Sequence, residues 1–131
     1  MVRAVVVTHG DLAAEMIRTA ATIFGAFDGV TSLSNSGRTP QALVEELGAA
    51  IDARDTGDQY VVFVDFFGGS CCHACLGVER ERKDVRVVTG VNLPMLLAFL
   101  NKREDVSFEQ LPGELARRGQ GSIRVVDAES L

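Results

Sequence analysis

Nearly continuous apolar runs alternate with helical patterns along this sequence, and that alternation constrains the fold more than any other feature. Val2–Thr8 and Tyr60–Val64 are apolar almost throughout, as expected of strands buried on both faces of a sheet. Val30–Leu33 and Val85–Thr89 are shorter strands, and Ile123–Val126 is a last one. We therefore predict an α/β fold: a doubly wound, mostly parallel sheet of four to five strands with helices on both faces.

Residues that favour helix starts stand before the helical patterns. Asp11, Thr39 and Ser70 occupy positions where a side chain can cap the helix that follows, and Pro40 suits a first helical position. Asp55–Asp58 is predicted to be a turn before the third strand. The last strand is expected at an edge of the sheet, or paired with another subunit.

Size and composition limit the functional classes. The chain has 131 residues, of which 47% are hydrophobic and 24% charged, which predicts one globular domain over residues 1–131. No apolar run approaches the roughly 18 residues that span a bilayer, and the N-terminus does not resemble a signal peptide, so we expect a cytoplasmic protein. A net charge of −5 disfavours nucleic acid as a partner.

Three strand ends carry residues suited to chemistry. They are Thr8-His9-Gly10, the stretch from Asp65 to Ser70, and the stretch from Gly90 to Pro94. Right-handed crossovers bring the carboxyl ends of parallel strands to one edge, where ligands bind in open α/β sheets. A single histidine after a strand is more often structural than catalytic, but the three stretches together favour a site.

The residue types at this edge are compatible with phosphoryl chemistry. His9 can act as a nucleophile through a neutral ring nitrogen, and Asp65 can accept a hydrogen bond from the other nitrogen, fixing the tautomer. Gly68, Gly69 and Ser70 open a helix, and their N–H groups with the Ser70 hydroxyl can hold phosphoryl oxygens.

Three motifs in this order resemble the IIA component of the mannose-type branch of the bacterial sugar phosphotransferase system. They are Val7-Thr8-His9-Gly10, Val64-Asp65 with Gly68-Gly69-Ser70, and Gly90-Val91-Asn92-Leu93-Pro94-Met95-Leu96. The order of elements and the length are similar too, so the resemblance covers nearly the whole chain.

The resemblance implies a phosphotransferase with a phosphohistidine intermediate. His9 would accept a phosphoryl group from the carrier protein HPr and pass it to a IIB component, and membrane permease components would be involved only indirectly. Asp65 matches the aspartate that orients the histidine, and Ser70 matches a serine beside the phosphoryl group. The family also implies a homodimer with an exchanged C-terminal strand, and its chemistry needs neither a metal nor another cofactor.

One segment departs from the family pattern and leaves alternatives open. Where the family commonly has Gly-Gly-Ser-Pro, this chain has Gly69-Ser70-Cys71-Cys72-His73-Ala74-Cys75. Cys72, His73 and Cys75 suggest a redox pair or a soft-metal site, although packing of small thiols is the commoner role. A second alternative keeps the phosphohistidine but uses it outside sugar transport, as the phosphoryl donor of a dihydroxyacetone kinase or as a regulatory domain.

Overall fold

The alternation of apolar runs and helical patterns gives alternating strands and helices in the computed structural model. The structure describes residues 1–53 and 57–130, which form four strands and five α-helices. The predicted turn at 55–58 therefore begins outside the described residues. The elements are β1 Val2–Thr8, α1 Leu12–Phe24, β2 Val30–Ser34, α2 Pro40–Asp52, β3 Gln59–Val64, α3 Gly69–Arg80, β4 Val85–Thr89, α4 Leu93–Lys102, α5 Leu111–Gly121 and a short 3₁₀ turn at Ala128–Ser130.

The strands form one parallel sheet in the order β2-β1-β3-β4. From β1 the chain crosses through α1 to β2, whereas β3 and β4 lie on the other side of β1, so the winding direction changes between β1 and β3. Val7 pairs with Val64 in the register of these two strands, so both strands end at the same level. A crevice at such a switch point is where doubly wound folds bind ligands.

Alternate residues of each central strand enter two separate apolar layers, which confirms helices on both faces. Ala4 and Val6 of β1 pack with α1, α4 and α5, whereas Val5 and Val7 pack with α2 and α3. Phe63 of β3 belongs to the first layer and makes an edge-to-face contact with Phe99 of α4, with the ring centroids 5.6 Å apart. Both faces of β1 and β3 are thus buried, as their apolar runs predicted.

The start of α2 follows its prediction. The Thr39 side chain accepts a hydrogen bond from the backbone N–H of Ala42, and Pro40 is the first helical residue. The sequence predicts that Ser107 caps the fifth helix together with Gln110, but Ser107 shapes a turn before α5 instead. Its hydroxyl and its carbonyl both accept from the N–H of Gln110, and α5 itself begins at Leu111.

The predicted last strand at Ile123–Val126 pairs with none of the four strands in the described part of this chain. The segment leaves the end of α5 with Ile123, Val125 and Val126 exposed to solvent. Its expected position at an edge of this chain's own sheet is therefore wrong, and pairing with another subunit stays a prediction. No helix among residues 1–53 and 57–130 combines the length and apolar character needed to cross a membrane.

Candidate functional site

Thr8 holds the turn that carries His9. It is the last residue of β1 and is fully buried, and its Oγ1 accepts a hydrogen bond of 2.8 Å from the backbone N–H of Ala13 in the first turn of α1. Asp11 occupies the N-cap position of this helix, as predicted, but its side chain accepts no capping hydrogen bond; the Thr8 hydroxyl reaches the first turn from the strand and takes that role. The strand end and the helix start are thereby fixed to each other on either side of His9.

His9 and Asp65 meet across the crevice between β1 and β3. The Nδ1 atom of His9 lies 2.8 Å from Oδ2 of Asp65, and the backbone N–H of His9 donates to the same oxygen over 3.0 Å. The other carboxylate oxygen accepts from the N–H of Phe66 over 3.1 Å. The Asp65 side chain is only 10% exposed, whereas that of His9 is 46% exposed. The pair therefore presents an oriented imidazole ring to solvent.

The hydrogen bonds to Asp65 favour its ionised form. Burial by itself raises the pKa of this carboxyl, but the backbone N–H and the ring of His9 outweigh burial, and the pKa lies below its ordinary value. An ionised carboxylate can only accept, so the Nδ1 atom of His9 is the donor of their shared hydrogen bond. The neutral ring then keeps its lone pair on Nε2.

Phe66 covers one face of the His9 ring. The two rings are stacked, with centroids 5.1 Å apart and planes 16° from parallel. Phe66 is itself half exposed, and the neighbouring Phe67 is more exposed still. Sequence reasoning assigned no role to Phe66; its position directly after Asp65 at a strand end was the available signal.

A glycine pair shapes the turn from β3 into α3. Gly68 and Gly69 have φ angles of 98° and 76°, which side chains disfavour, so the turn needs glycine at both positions. Gly68 is the N-cap residue and Gly69 the first helical residue, so Ser70 lies inside the first turn with an exposed side chain. The prediction that Ser70 caps α3 is wrong because the helix begins one residue before it.

The cysteine segment does not gather as the alternative metal site requires. Cys72 and Cys75 are buried on the α2–α3 side of the sheet, whereas His73 is exposed on α3. Burial chiefly, with nearby thiols and Asp65, raises the pKa of Cys75 to about 12 and that of Cys71 to about 11, so neither is a reactive thiolate in the metal-free protein. Cys71, which the sequence reasoning left out, lies instead beside His9 and Asp65, with ligand atoms of the three within 4.8 Å of one another.

The residues after β4, at the third of the predicted strand ends, fix two helices beside the crevice. The N–H of Val91 donates to the carbonyl of Val64, extending the pairing of β4 with β3 by one bond. Asn92 caps α4 by accepting from Met95 N–H over 2.9 Å, and its amide nitrogen donates to the carbonyl of Gly119 in α5 over 3.1 Å. These bonds tie α4 and α5 to the edge of the sheet at which His9 lies.

Comparison with known proteins places most of the chain in one family. The family described as "PTS system fructose IIA component" matches residues 3–115, where PTS denotes the phosphotransferase system. The mannose-specific EIIAB component of Escherichia coli (strain K12) is 28% identical over 127 residues, which are 95% of this chain and 39% of that protein. The fructose-specific EIIA component of Bacillus subtilis (strain 168) is 27% identical over 126 residues, 95% of this chain and 86% of that protein. The chain thus spans about two fifths of the length of its Escherichia coli relative.

Solved structures share the whole fold. The phosphotransferase-system component EIIA from Streptococcus agalactiae superposes with a TM-score of 0.86 at 19% identity, covering 100% of both chains. The mannose/sorbose-specific IIA subunit from Enterococcus faecalis gives a TM-score of 0.79 at 24% identity, covering 95% of this chain and 94% of that one. Since the family match extends over most of its length, the chain belongs to the mannose-type family of phosphotransferase-system IIA components.

Proposed function

We propose that His9 is the phosphoryl carrier of this IIA component, taking the group from phosphorylated HPr and passing it to a IIB component. One observation carries the proposal: Nδ1 of His9 lies 2.8 Å from a nearly buried carboxylate, while the ring stays 46% exposed. An imidazole oriented by a carboxylate and open to solvent suits attack on a group presented by another protein.

The Asp65 hydrogen bond selects the attacking atom. Because Nδ1 holds the proton that Asp65 accepts, Nε2 holds the lone pair and is the nucleophile. Nε2 forms a bond to phosphorus as the N–P bond of the donor histidine breaks, and the donor ring takes back its electron pair. No proton has to be transferred, and the charge that develops on the His9 ring is balanced by Asp65.

The first turn of α3 is suited to the phosphoryl oxygens. Its position beside His9 follows from Cys71, whose sulfur lies within 4.8 Å of the His9 and Asp65 ligand atoms. The first N–H groups of a helix lack intrahelical acceptors and carry a positive field. Gly68 and Gly69 keep this turn clear of side chains, and the exposed Ser70 adds a hydroxyl donor.

Exposed apolar side chains around His9 support a protein as donor and acceptor. Leu12 at the start of α1 and Phe66 and Phe67 after β3 are exposed, and Phe66 stacks on the His9 ring. Apolar side chains around an exposed nucleophile suit the transient docking of HPr and a IIB component.

The C-terminal segment supports the proposed homodimer. Ile123, Val125 and Val126 are exposed, and β4 is an edge strand of the sheet as described. Exposed strand edges and apolar strand-forming segments pair readily. Sedimentation should therefore show a dimer, and Val125→Asp should shift it towards monomer; a wild-type monomer at micromolar concentration would refute strand exchange.

In the experiment that tests this proposal, the purified chain is incubated with enzyme I, HPr and phosphoenolpyruvate that carries a labelled phosphoryl group. The chain has two histidines, which provide a matched pair of variants. His9→Ala should abolish labelling, and His73→Ala should label like the wild type. The label should be acid-labile, as expected of an N–P bond. Full labelling of His9→Ala would overturn the proposal.

A second step tests the acceptor. Labelled protein mixed with a IIB component should lose its label when IIB gains it. If His9 is labelled and a dihydroxyacetone kinase, rather than any IIB component, takes the group, the transport pathway is wrong and the phosphohistidine stands.

A further inference from the structure

Nitrogen, oxygen and sulfur donors meet at the crevice, and the proposed phosphoryl transfer gives the sulfur no chemical role. One ligand atom each from His9, Asp65 and Cys71 lies within 4.8 Å of the other two. Among the described residues, these three make the one such group of histidine, cysteine and carboxylate side chains. Cys71 is fully buried and Asp65 nearly so, whereas His9 is exposed. A metal ion could therefore reach the group from solvent on the His9 side.

We propose that His9, Asp65 and Cys71 form a zinc site whose occupation excludes phosphorylation of His9. Zn²⁺ accepts imidazole nitrogen, carboxylate oxygen and thiolate sulfur together, whereas Mg²⁺ and Ca²⁺ require oxygen ligands and Cu⁺ prefers several sulfurs. Three protein ligands with a fourth position open to water are a usual arrangement for zinc.

The observed spacing is close to what zinc requires. With Zn–N of about 2.0 Å and Zn–S of about 2.3 Å, tetrahedral ligand atoms lie roughly 3.5 Å apart. The contact between Nδ1 of His9 and Oδ2 of Asp65 is already 2.8 Å. The three ligand atoms lie within 4.8 Å of one another, so shifts on the order of 1 Å by the exposed His9 ring and by the Asp65 carboxylate would bring all three separations into this range. Cys71 gives up its thiol proton to water as the Zn–S bond forms.

Zinc and a phosphoryl group compete for the same lone pair. If zinc binds Nε2, it takes the proposed nucleophile directly. If it binds Nδ1, the ring proton moves to Nε2, which then has no lone pair for attack on phosphorus. Either coordination therefore blocks phosphoryl transfer, and this consequence, unlike the metal site itself, rests on the proposed function.

The adjacent cysteine provides a matched control. Cys71 and Cys72 are both buried near the start of α3, yet only Cys71 belongs to the group with His9 and Asp65 in the described part of the chain. Alanine at either position removes one buried thiol. A difference between Cys71→Ala and Cys72→Ala therefore reports on coordination rather than on core packing.

Metal binding is measured first, on chelator-treated full-length protein titrated with Co²⁺ and then Zn²⁺. The wild type and Cys72→Ala should bind one Co²⁺ with a thiolate-to-cobalt absorption band, which Zn²⁺ removes by displacement. Cys71→Ala should lose the band and bind Zn²⁺ more than about tenfold more weakly. Circular dichroism checks that each variant is folded. No band in the wild type, or an equal band in Cys71→Ala, would overturn the site.

Phosphorylation is measured second, using phosphorylated HPr separated from enzyme I so that zinc acts only on the transfer. Zn²⁺ should suppress labelling of the wild type and Cys72→Ala, and chelator should restore it. Labelling of Cys71→Ala should be insensitive to the same Zn²⁺ concentration; equal suppression would overturn the competition. If chelator-treated wild type takes no label at all, the phosphocarrier proposal fails, whereas the Co²⁺ titration still decides the metal site.

Discussion

The turns after β1 and β3 both lead from a strand directly into a helix, but the N-termini of the two helices are capped differently. At α1, the buried Thr8 hydroxyl accepts from the N–H of Ala13, so the strand itself caps the helix. At α3, the N-cap is Gly68 and the helix has no side-chain cap among the described residues. The N-terminus of α1 is thus capped by a side chain of the protein, whereas the N-terminus of α3 is left available to a ligand.

This difference bears on where an anion could bind. A helix N-terminus follows each of the two strand ends, and unpaired N–H groups at either one would suit an anion. Part of the N-terminus of α1 is used by Thr8, whereas the turn at Gly68 and Gly69, where the sequence predicts binding of phosphoryl oxygens, has no side-chain cap. We infer that the turn after β1 presents His9 as the nucleophile, whereas the turn after β3 orients His9 through Asp65 and binds the phosphoryl oxygens.

Replacing the side chain that links the two turns gives the largest expected effect. In Asp65→Asn, the amide N–H₂ would donate to Nδ1 of His9 and move the ring proton to Nε2, where it blocks attack. Phosphorylation by HPr should slow by roughly 10²-fold to 10⁴-fold, as for other tautomer-fixing carboxylates. A labelling time course with quenched samples measures the rate.

A distant aspartate is the control for this change. Asp58 likewise accepts a hydrogen bond from a side chain, that of Arg3, whose Nε lies 2.7 Å from it, but Asp58 lies at the other end of the sheet. Asp58→Asn should label at the wild-type rate. If both variants slow equally, the link between the turns has no special part in phosphorylation.

Removing the Thr8 hydroxyl tests how the first turn is held. Thr8→Val keeps the shape and leaves the N–H of Ala13 without its acceptor in a buried place, which should cost about 1–2 kcal/mol of unfolding free energy. Urea unfolding measures the loss, and hydrogen exchange at Ala13 should accelerate. Thr8→Ser keeps the hydroxyl, so its Ala13 amide should stay protected; equal exchange in the two variants would refute the cap.

The sequence predicted the four strands of the sheet and the His9–Asp65 contact well because both follow from long-range regularities, whereas the predicted strand at Ile123–Val126 finds no partner strand in the described part of this chain. Apolar runs place β1 and β3 in the interior, and parallel pairing then brings residues that follow them to one edge. The errors at Asp11 and Ser70 have a different origin, since capping depends on which of several nearby oxygens reaches a given N–H. The position of Cys71 beside His9 depends on the tight turn that Gly68 and Gly69 form, and spacing alone does not reveal it.

Acid should weaken the link between the two turns. The folded pKa of Asp65 is depressed, so its ionised form stabilises the fold above the unfolded pKa near 3.9, and this contribution is lost as pH falls through the folded value. Between pH 5.5 and 3, the wild type should lose more unfolding free energy than Asp65→Asn. Other paired carboxyls are common to both proteins and cancel, so parallel pH profiles would contradict the prediction.

The smallest expected effect separates binding from capping at the second turn. Ser70 is exposed and lies inside α3 rather than at its cap, so Ser70→Ala should change the unfolding free energy by less than about 0.5 kcal/mol. Its hydroxyl would still donate one hydrogen bond to the phosphoryl group, so labelling by HPr should slow by about twofold to tenfold. The pattern is the reverse of Thr8→Val, whose main cost is stability. If Ser70→Ala instead lost much stability and was phosphorylated at the wild-type rate, Ser70 would cap the N-terminus of α3 as Thr8 caps that of α1. A ligand would then not be needed to occupy that position.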